Sequence, residues 1–431
     1  AGEILVLAVD ASSWVGCELC IAVCPEDALQ PVERSPEKTH RFEQRWRTWE
    51  ELPYTAGETL ARAAEHPEVG PLAAALMSRH CGLAQVGGAG GEPGSGERLA
   101  SRLVAGLVEQ HAQRRMAGLL KNLEEQRENL EQKARQSLTE GLSEADMDTL
   151  GEALNSVSPG RADLSALGER LDALGSRASF DRRAVLRMTR VAGVLDDYRQ
   201  RISEGRDGLG RARFGVVVAR GRIAESMARF PRHPYFAPLT VAPTAQGVEL
   251  ARGIARGLVA EHLTLVRSLR RAALEAESPP DRADRLEAIE STGWEDLEAE
   301  ERAACPPLLL LGDETSLLEQ GSLSLARLLN SGLPVKVILL DGRGRLASGP
   351  EPALVAMAHR SAFVLAASPA YPDHLSRGLT DALAWPGPAL VHIHAPSPER
   401  HGFSAAATLD RARLAVEGRA HVLLRYDPSA P

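Results

Sequence analysis

Aromatic side chains are scarce: Phe, Trp and Tyr make up 4% of the 431 residues, so the cores must be filled by aliphatic side chains. Long apolar runs are missing too. The longest purely aliphatic stretch, residues 308–311, is strand-sized, well short of the roughly 18 residues that a membrane-spanning helix needs. No membrane span is expected. The first residues lack a basic stretch followed by an apolar core and a cleavage site. They do not read as a signal peptide, and the expected location is the cytoplasm. Cysteine is sparse, five residues with three of them clustered, whereas a secreted disulfide framework shows an even, spread-out set. A basic surface is lacking as well. The formal charge of -8 argues against nucleic acid as the main partner, because phosphate binding needs clustered lysine and arginine.

What is present is an ordinary globular balance, 44% hydrophobic and 25% charged, in a length that holds two to four domains. Residues 1–45 read as a small cysteine-bearing domain opening on a strand at 4–9. Residues 46–96 read as an irregular linker, because glycine crowds positions 87–96. From Glu97 the apolar residues Leu103, Leu107, Met116, Leu119, Leu123, Leu130, Ala134 and Leu138 recur at mostly three- and four-residue steps. That is one face of a helix, with Gly141 as its stop. Ser143 with Asp146 can cap another helix, and further helical pattern runs to about 204. Residues 97–205 are therefore expected to be a helical insertion, and residues 206–431 an α/β domain. Strands are expected at 214–219, 308–311, 335–340, within 357–367, at 389–394 and at 421–425. Helices are expected at 247–277, 316–330, 374–384 and 408–417. Short apolar strands separated by helices predict a parallel sheet covered on both faces. The proline-punctuated stretch 231–243 reads as a connector, and the acidic stretch 280–304 carries little signal.

The strongest local motif is Cys17, Cys20 and Cys24 followed by Pro25. It resembles the bacterial ferredoxin run of Cys-x2-Cys-x2-Cys-x3-Cys-Pro, in which close spacing lets thiolates converge on one cluster, with backbone N–H groups aimed at the sulfurs. Trp14 stands at the first cysteine position, and indole cannot ligate iron. Cys81 and Cys305 are the remaining thiols. Three readings stand: an iron–sulfur site ([4Fe–4S] in type) completed by another segment, a metal-free relic, and a zinc site.

A second motif is Gly312 and Asp313 at a strand end, with another strand ending at Asp341. It resembles the thiamine diphosphate signature, in which an Asp carboxylate and a later Asn bind Mg²⁺ and glycines let the backbone approach the phosphates. Here Glu314 replaces the second glycine and no Asn follows Asp341. Together with the stretches 328–341, 356–364, 388–402 and 413–428, the motif resembles the thiamine domain of pyruvate (2-oxoacid):ferredoxin oxidoreductases. The resemblance implies a thiamine diphosphate-binding-type α/β domain preceded by a ferredoxin-like domain. It also implies oxidative decarboxylation of a 2-oxoacid, with electron transfer through clusters to ferredoxin. Gly312 and Asp313 would bind the cofactor, and Cys17, Cys20 and Cys24 the metal. Ser397 stands where the family places a cluster cysteine.

These losses leave no catalytic residue to assign. The favoured expectation is a non-catalytic or electron-relaying module of an oligomeric 2-oxoacid:ferredoxin oxidoreductase-like assembly, with other domains or subunits, and ferredoxin, as partners. In that reading thiamine diphosphate and Mg²⁺ are absent and an iron–sulfur cluster is retained. The alternatives are an active thiamine-dependent half that needs a partner chain, and an interaction scaffold without cofactors. Two weaker signals remain. His359, His392, His394 and His401 lie near strand ends, with His392 and His394 on one strand face, as a metal site, an acid/base site or surface packing. Residues 93–96 read either as a loop or as an anion cradle at a helix N-terminus.

Overall fold

The computed structural model describes residues 6, 8–11, 14, 16, 18–22, 24, 26–53, 55, 57–77, 92–141, 181–205, 210–227, 237–343 and 351–430. The strands are β1 (Gly215–Val218), β2 (Leu239–Val241), β3 (Leu308–Asp313), β4 (Val335–Asp341), β5 (Phe363–Ala367), β6 (Ala389–His394) and β7 (Leu424–Tyr426). They form one sheet in the order β2-β1-β3-β4-β6-β5-β7. The chain is thus a mixed α/β protein with a mostly parallel sheet. Every residue of β3, β4 and β5 is buried. Their largely apolar runs, without regular polar alternation, suit strands covered on both faces. On one face Leu309, Leu311, Ile338, Leu340, Val391 and Ile393 pack with Ala100, Val104 and Val108 of the helix Gly96–Gly141 and Leu375 and Leu379 of the helix Pro372–Ala384.

Six strands run parallel, but β7 pairs antiparallel with β5. The expected strand at 421–425 is therefore shifted to 424–426 and reversed. An apolar run carries no sign of its direction, so this could not be read from the pattern. β2, inside the proline-punctuated connector, was not expected as a strand. Residues 57–65 and 70–76, in the stretch expected to be irregular, are helices, as are 282–291 and 299–303. Of the strand expected at 4–9, residues 6, 8 and 9 are not in a strand and the others lie outside the described residues. So do Ser143, Asp146, Cys17 and Cys81.

The chain divides into two compact units: Ala1–Arg114 with Arg213–Arg256 and Pro306–Pro431, and Arg115–Ala212 with Gly257–Cys305. The boundaries expected from the sequence fell at 97 and 205. The helix Gly96–Gly141 has no break at its unit boundary, and the helix Gly247–Glu277 is divided in the same way. A helical period says which face is apolar, not which core it meets. In the second unit Leu123, Leu130, Leu138, Met188, Leu195, Ile202, Leu265 and Ala272 form the core. The helix Arg182–Ser203 is started by Asp181, whose carboxylate accepts from the backbone N–H groups of Arg183 and Ala184. Glu275 is buried, held by Arg187 at 3.0 Å and by Arg282.

His262 of this unit is buried with Nε2 2.7 Å from the Glu301 carbonyl. Burial pushes it from 6.5 down to about 4, against the opposing pull of that carbonyl. The folded value lies below the unfolded one. The stability from the neutral ring is therefore complete above about pH 6.5 and is lost as pH falls towards 4. At ~1.36 kcal/mol per unit the effect is at most about 3 kcal/mol. His262→Gln keeps a donor that cannot take up a proton. Its thermal midpoint is expected to fall less than that of the parent between neutral pH and pH ~5. Parallel midpoint curves would remove His262 from the account.

Candidate functional site

In a parallel sheet, ligands bind outside the carboxyl ends of strands where successive connections run in opposite directions. Here β1 leads outward to β2, whereas β3 leads to β4 on the other side. The switch point lies between residues 219–223 and Asp313, where the thiamine-like motif falls.

Asp313 is 2% exposed. Its Oδ1 accepts from the Ser316 backbone N–H at 2.9 Å and its Oδ2 from that of Ile223 at 3.4 Å. The carboxylate thereby ties the turn after β3 to the loop after β1. Gly221 permits this closure, since a Cβ there would lie 2.7 Å from Asp313 Oδ2. Gly312 is needed for a local reason as well: a Cβ would lie 2.7 Å from Leu317 and 2.8 Å from Ser316 Oγ. Glu314 is buried and bridges two arginines, at 2.6 Å from Arg400 Nη1 and 3.2 Å from Arg222 Nη2. Arg222 also pairs with Glu97. Arg222 and Arg400 are thus both matched by carboxylates of the same chain.

Glu314, in the place of the motif's second glycine, does not fit the diphosphate of thiamine diphosphate. Both Asp313 oxygens are engaged by backbone donors, and the Glu314 carboxylate sits on the two arginines that an anionic ligand would use. The helix N-terminus after residues 93–96 is closed too: Gly96 N–H donates to the Pro396 carbonyl at 2.8 Å and Ser95 Oγ accepts from the Arg98 N–H at 3.2 Å. The anion-cradle reading of that loop is set aside.

In the cysteine motif, Cys20 is exposed on the short helix Leu19–Ala22 and Cys24 is half-buried. The backbone N–H groups of Ala28, Glu26, Leu29 and Asp27 lower the Cys24 thiol below its ordinary range. Such a ring of N–H groups suits a thiolate ligand. Ser397 does not suit one: its hydroxyl donates to Glu92 Oε2 at 2.7 Å and caps the helix Pro398–His401. Cys305 is buried within the second unit, its carbonyl accepting from Arg115 at 2.8 Å.

The histidines separate. His359 bonds to Asn330, and His401 lies against Ser397 and Phe403. His392 and His394 both meet a residue not singled out from the sequence, His421. Burial alone would raise the Asp341 carboxyl, yet hydrogen bonds from His392 and Arg343 hold it well below the carboxylate range. Burial pushes His394 down to about 4 and His421 down to about 3, with the charge of His392 acting in the same direction. Arg222, Arg400 and Glu97 were also missed. Only Glu314, as a departure from the glycine motif, carried a signal.

No family model matches the chain. Over 74 residues it is 36% identical to pyruvate synthase subunit PorB of Methanothermobacter thermautotrophicus, covering 17% of this chain and 26% of that subunit. The chain therefore matches about a quarter of the length of this curated relative. The solved structure of a 2-oxoglutarate:ferredoxin oxidoreductase from Magnetococcus marinus, with 2-oxoglutarate, coenzyme A and succinyl-CoA bound, aligns over 57% of this chain and 78% of its own. The identity is 15% and the TM-score 0.30. No helix among the described residues is long and apolar enough to cross a membrane. The likeness at the level of sequence is thus confined to the 74-residue stretch shared with the pyruvate synthase subunit.

Proposed function

We propose that this chain is a non-catalytic module of a 2-oxoacid:ferredoxin oxidoreductase-like assembly, with a thiamine-type α/β domain that no longer takes the cofactor. The observation that carries this is the engagement of both Asp313 oxygens by the Ser316 and Ile223 backbone. Asp313 acts as a structural clasp, and Glu314 neutralises Arg222 and Arg400. The retained chemistry lies in the cysteine run. Cys17, Cys20 and Cys24 would hold iron, with a further ligand from another segment or subunit, and an iron–sulfur cluster there would supply one-electron transfer. Cys24 is prepared for this by the N–H groups around its sulfur. Ferredoxin and the catalytic subunits of such an assembly are the partners of this reading.

The test is made on the full chain purified without oxygen. Iron, acid-labile sulfide and thiamine diphosphate are assayed together, and thermal midpoints are taken with and without Mg²⁺ and thiamine diphosphate. Iron and sulfide without thiamine, and midpoints unmoved by the cofactor, are expected. Asp313→Ala should lose about 1–3 kcal/mol, because two backbone donors lose their acceptor, and by the same amount with cofactor present. A midpoint raised by cofactor in the parent and not in Asp313→Ala would restore the active thiamine-dependent half. Neither metal nor thiamine would leave a scaffold.

A further inference from the structure

A cluster on the other side of β4 is not used by that reading. His392, in β6, is 2% exposed. Its Nε2 lies 3.0 Å from Asp341 Oδ2. Its Nδ1 lies 2.9 Å from Glu351 Oε1 and has no other partner among the described residues. His421, 5% exposed, places Nε2 2.9 Å from the Ala367 carbonyl. The two rings meet edge to face with centroids 5.1 Å apart. One nitrogen of each ring and one Glu351 oxygen all lie within 4.8 Å of one another.

The outer partners decide the tautomers. A carbonyl oxygen only accepts, so His421 Nε2 carries a proton and its lone pair is on Nδ1. The Asp341 carboxylate likewise accepts from His392 Nε2–H, and His392 Nδ1 then either offers its lone pair to a metal ion or carries a second proton. Nδ1 faces a Glu351 carboxylate oxygen at 2.9 Å, a place for a cation, which is either that proton or a metal ion. Carboxylate and carbonyl groups behind histidines are the outer shell that orients imidazole ligands. We propose that Glu351, His392 and His421 form a binding site for one divalent transition-metal ion of the zinc class, oriented by Asp341 and the Ala367 carbonyl. Two imidazoles and one carboxylate are a borderline donor set. It suits zinc or its cobalt substitute and leaves room for a further ligand.

The site is independent of thiamine and of the cysteine run, and the test keeps it so. The full chain carrying Cys17→Ser, Cys20→Ser and Cys24→Ser is stripped with chelator and titrated with Co²⁺ and Zn²⁺. One equivalent per chain is expected, with a Co²⁺ visible band and no thiolate-to-metal charge-transfer band. Glu351→Gln and His421→Gln should weaken binding at least tenfold. Asp341→Asn, acting through His392, should weaken it about 10- to 100-fold. Because a variant can fail to fold, X-ray absorption of the Zn²⁺-loaded cysteine-free-motif protein is the second measurement, expected to show a nitrogen/oxygen shell with two imidazoles. No stoichiometric binding, binding that both ligand variants retain, or a shell without imidazole would overturn the site and leave a proton as the cation between His392 and Glu351.

Discussion

Lys336→Ala is expected to lose about 4 kcal/mol of unfolding free energy, read as a fall in the denaturant midpoint. Lys336 sits in β4 at the middle of the sheet and is 1% exposed. Its Nζ donates to the Trp385 carbonyl at 2.5 Å and to the Gly387 carbonyl at 2.7 Å. It therefore secures the loop between the helix Pro372–Ala384 and β6. Truncation removes the donor from two carbonyls and leaves a cavity where the stem packed. Lys336→Met separates these effects. It fills the stem's volume and relieves the cost of burying an ammonium group, while still depriving the carbonyls of their donor. Its loss should be about 1–2 kcal/mol. Equal losses in the two variants would mean that packing of the stem contributes nothing.

The second large effect concerns ligand binding. Glu314→Gly restores the Gly-Asp-Gly sequence and leaves Arg222 and Arg400 without their shared carboxylate. Both arginines are about half exposed, with side-chain exposures of 41% and 48%, so they can rehydrate. The stability loss should stay near 2 kcal/mol rather than the 3–5 kcal/mol of a fully buried broken pair. Arg400, with Arg222 still paired to Glu97, should bind inorganic pyrophosphate at least tenfold more tightly than in the parent, with a strong salt dependence. Thiamine diphosphate with Mg²⁺ should still not bind as it does in an enzyme, because Asp313 remains tied to Ser316 and Ile223. Unchanged pyrophosphate affinity in calorimetry would show that Glu314 does not stand in an anion's place.

The fold was largely legible from residue pattern. Largely aliphatic runs placed β1, β3, β4 and β6 within a residue or two, because strands buried on both faces tolerate few polar side chains. The helix Gly247–Glu277 was read to its ends. What escaped depends on contacts distant in sequence. The direction of β7 and the short β2 are such cases. So is the division of two continuous helices between two cores.

The candidate site was legible in position and not in chemistry. Gly312 and Asp313 do lie at a strand end beside the sheet's reversal of order, but only geometry shows the carboxylate facing backbone donors. The partnership of Glu351, His392 and His421 brings together residues separated by 41 and 29 positions, and no spacing rule predicts it. Lys336 was more accessible than its neglect suggests: a lone lysine inside Val-Lys-Val-Ile-Leu-Leu must find acceptors when the strand is covered on both faces.

The sheet's two margins limit how the molecule can meet others. β2 and β7 are three residues each. β2 is followed closely by Pro243, and Pro238 precedes it, neither able to donate a hydrogen bond from its backbone nitrogen. A foreign strand seeking to extend the sheet would find only a few main-chain groups at either border, too short a template to propagate. Among the described residues, accidental polymerisation by strand addition is therefore disfavoured at both ends of the sheet.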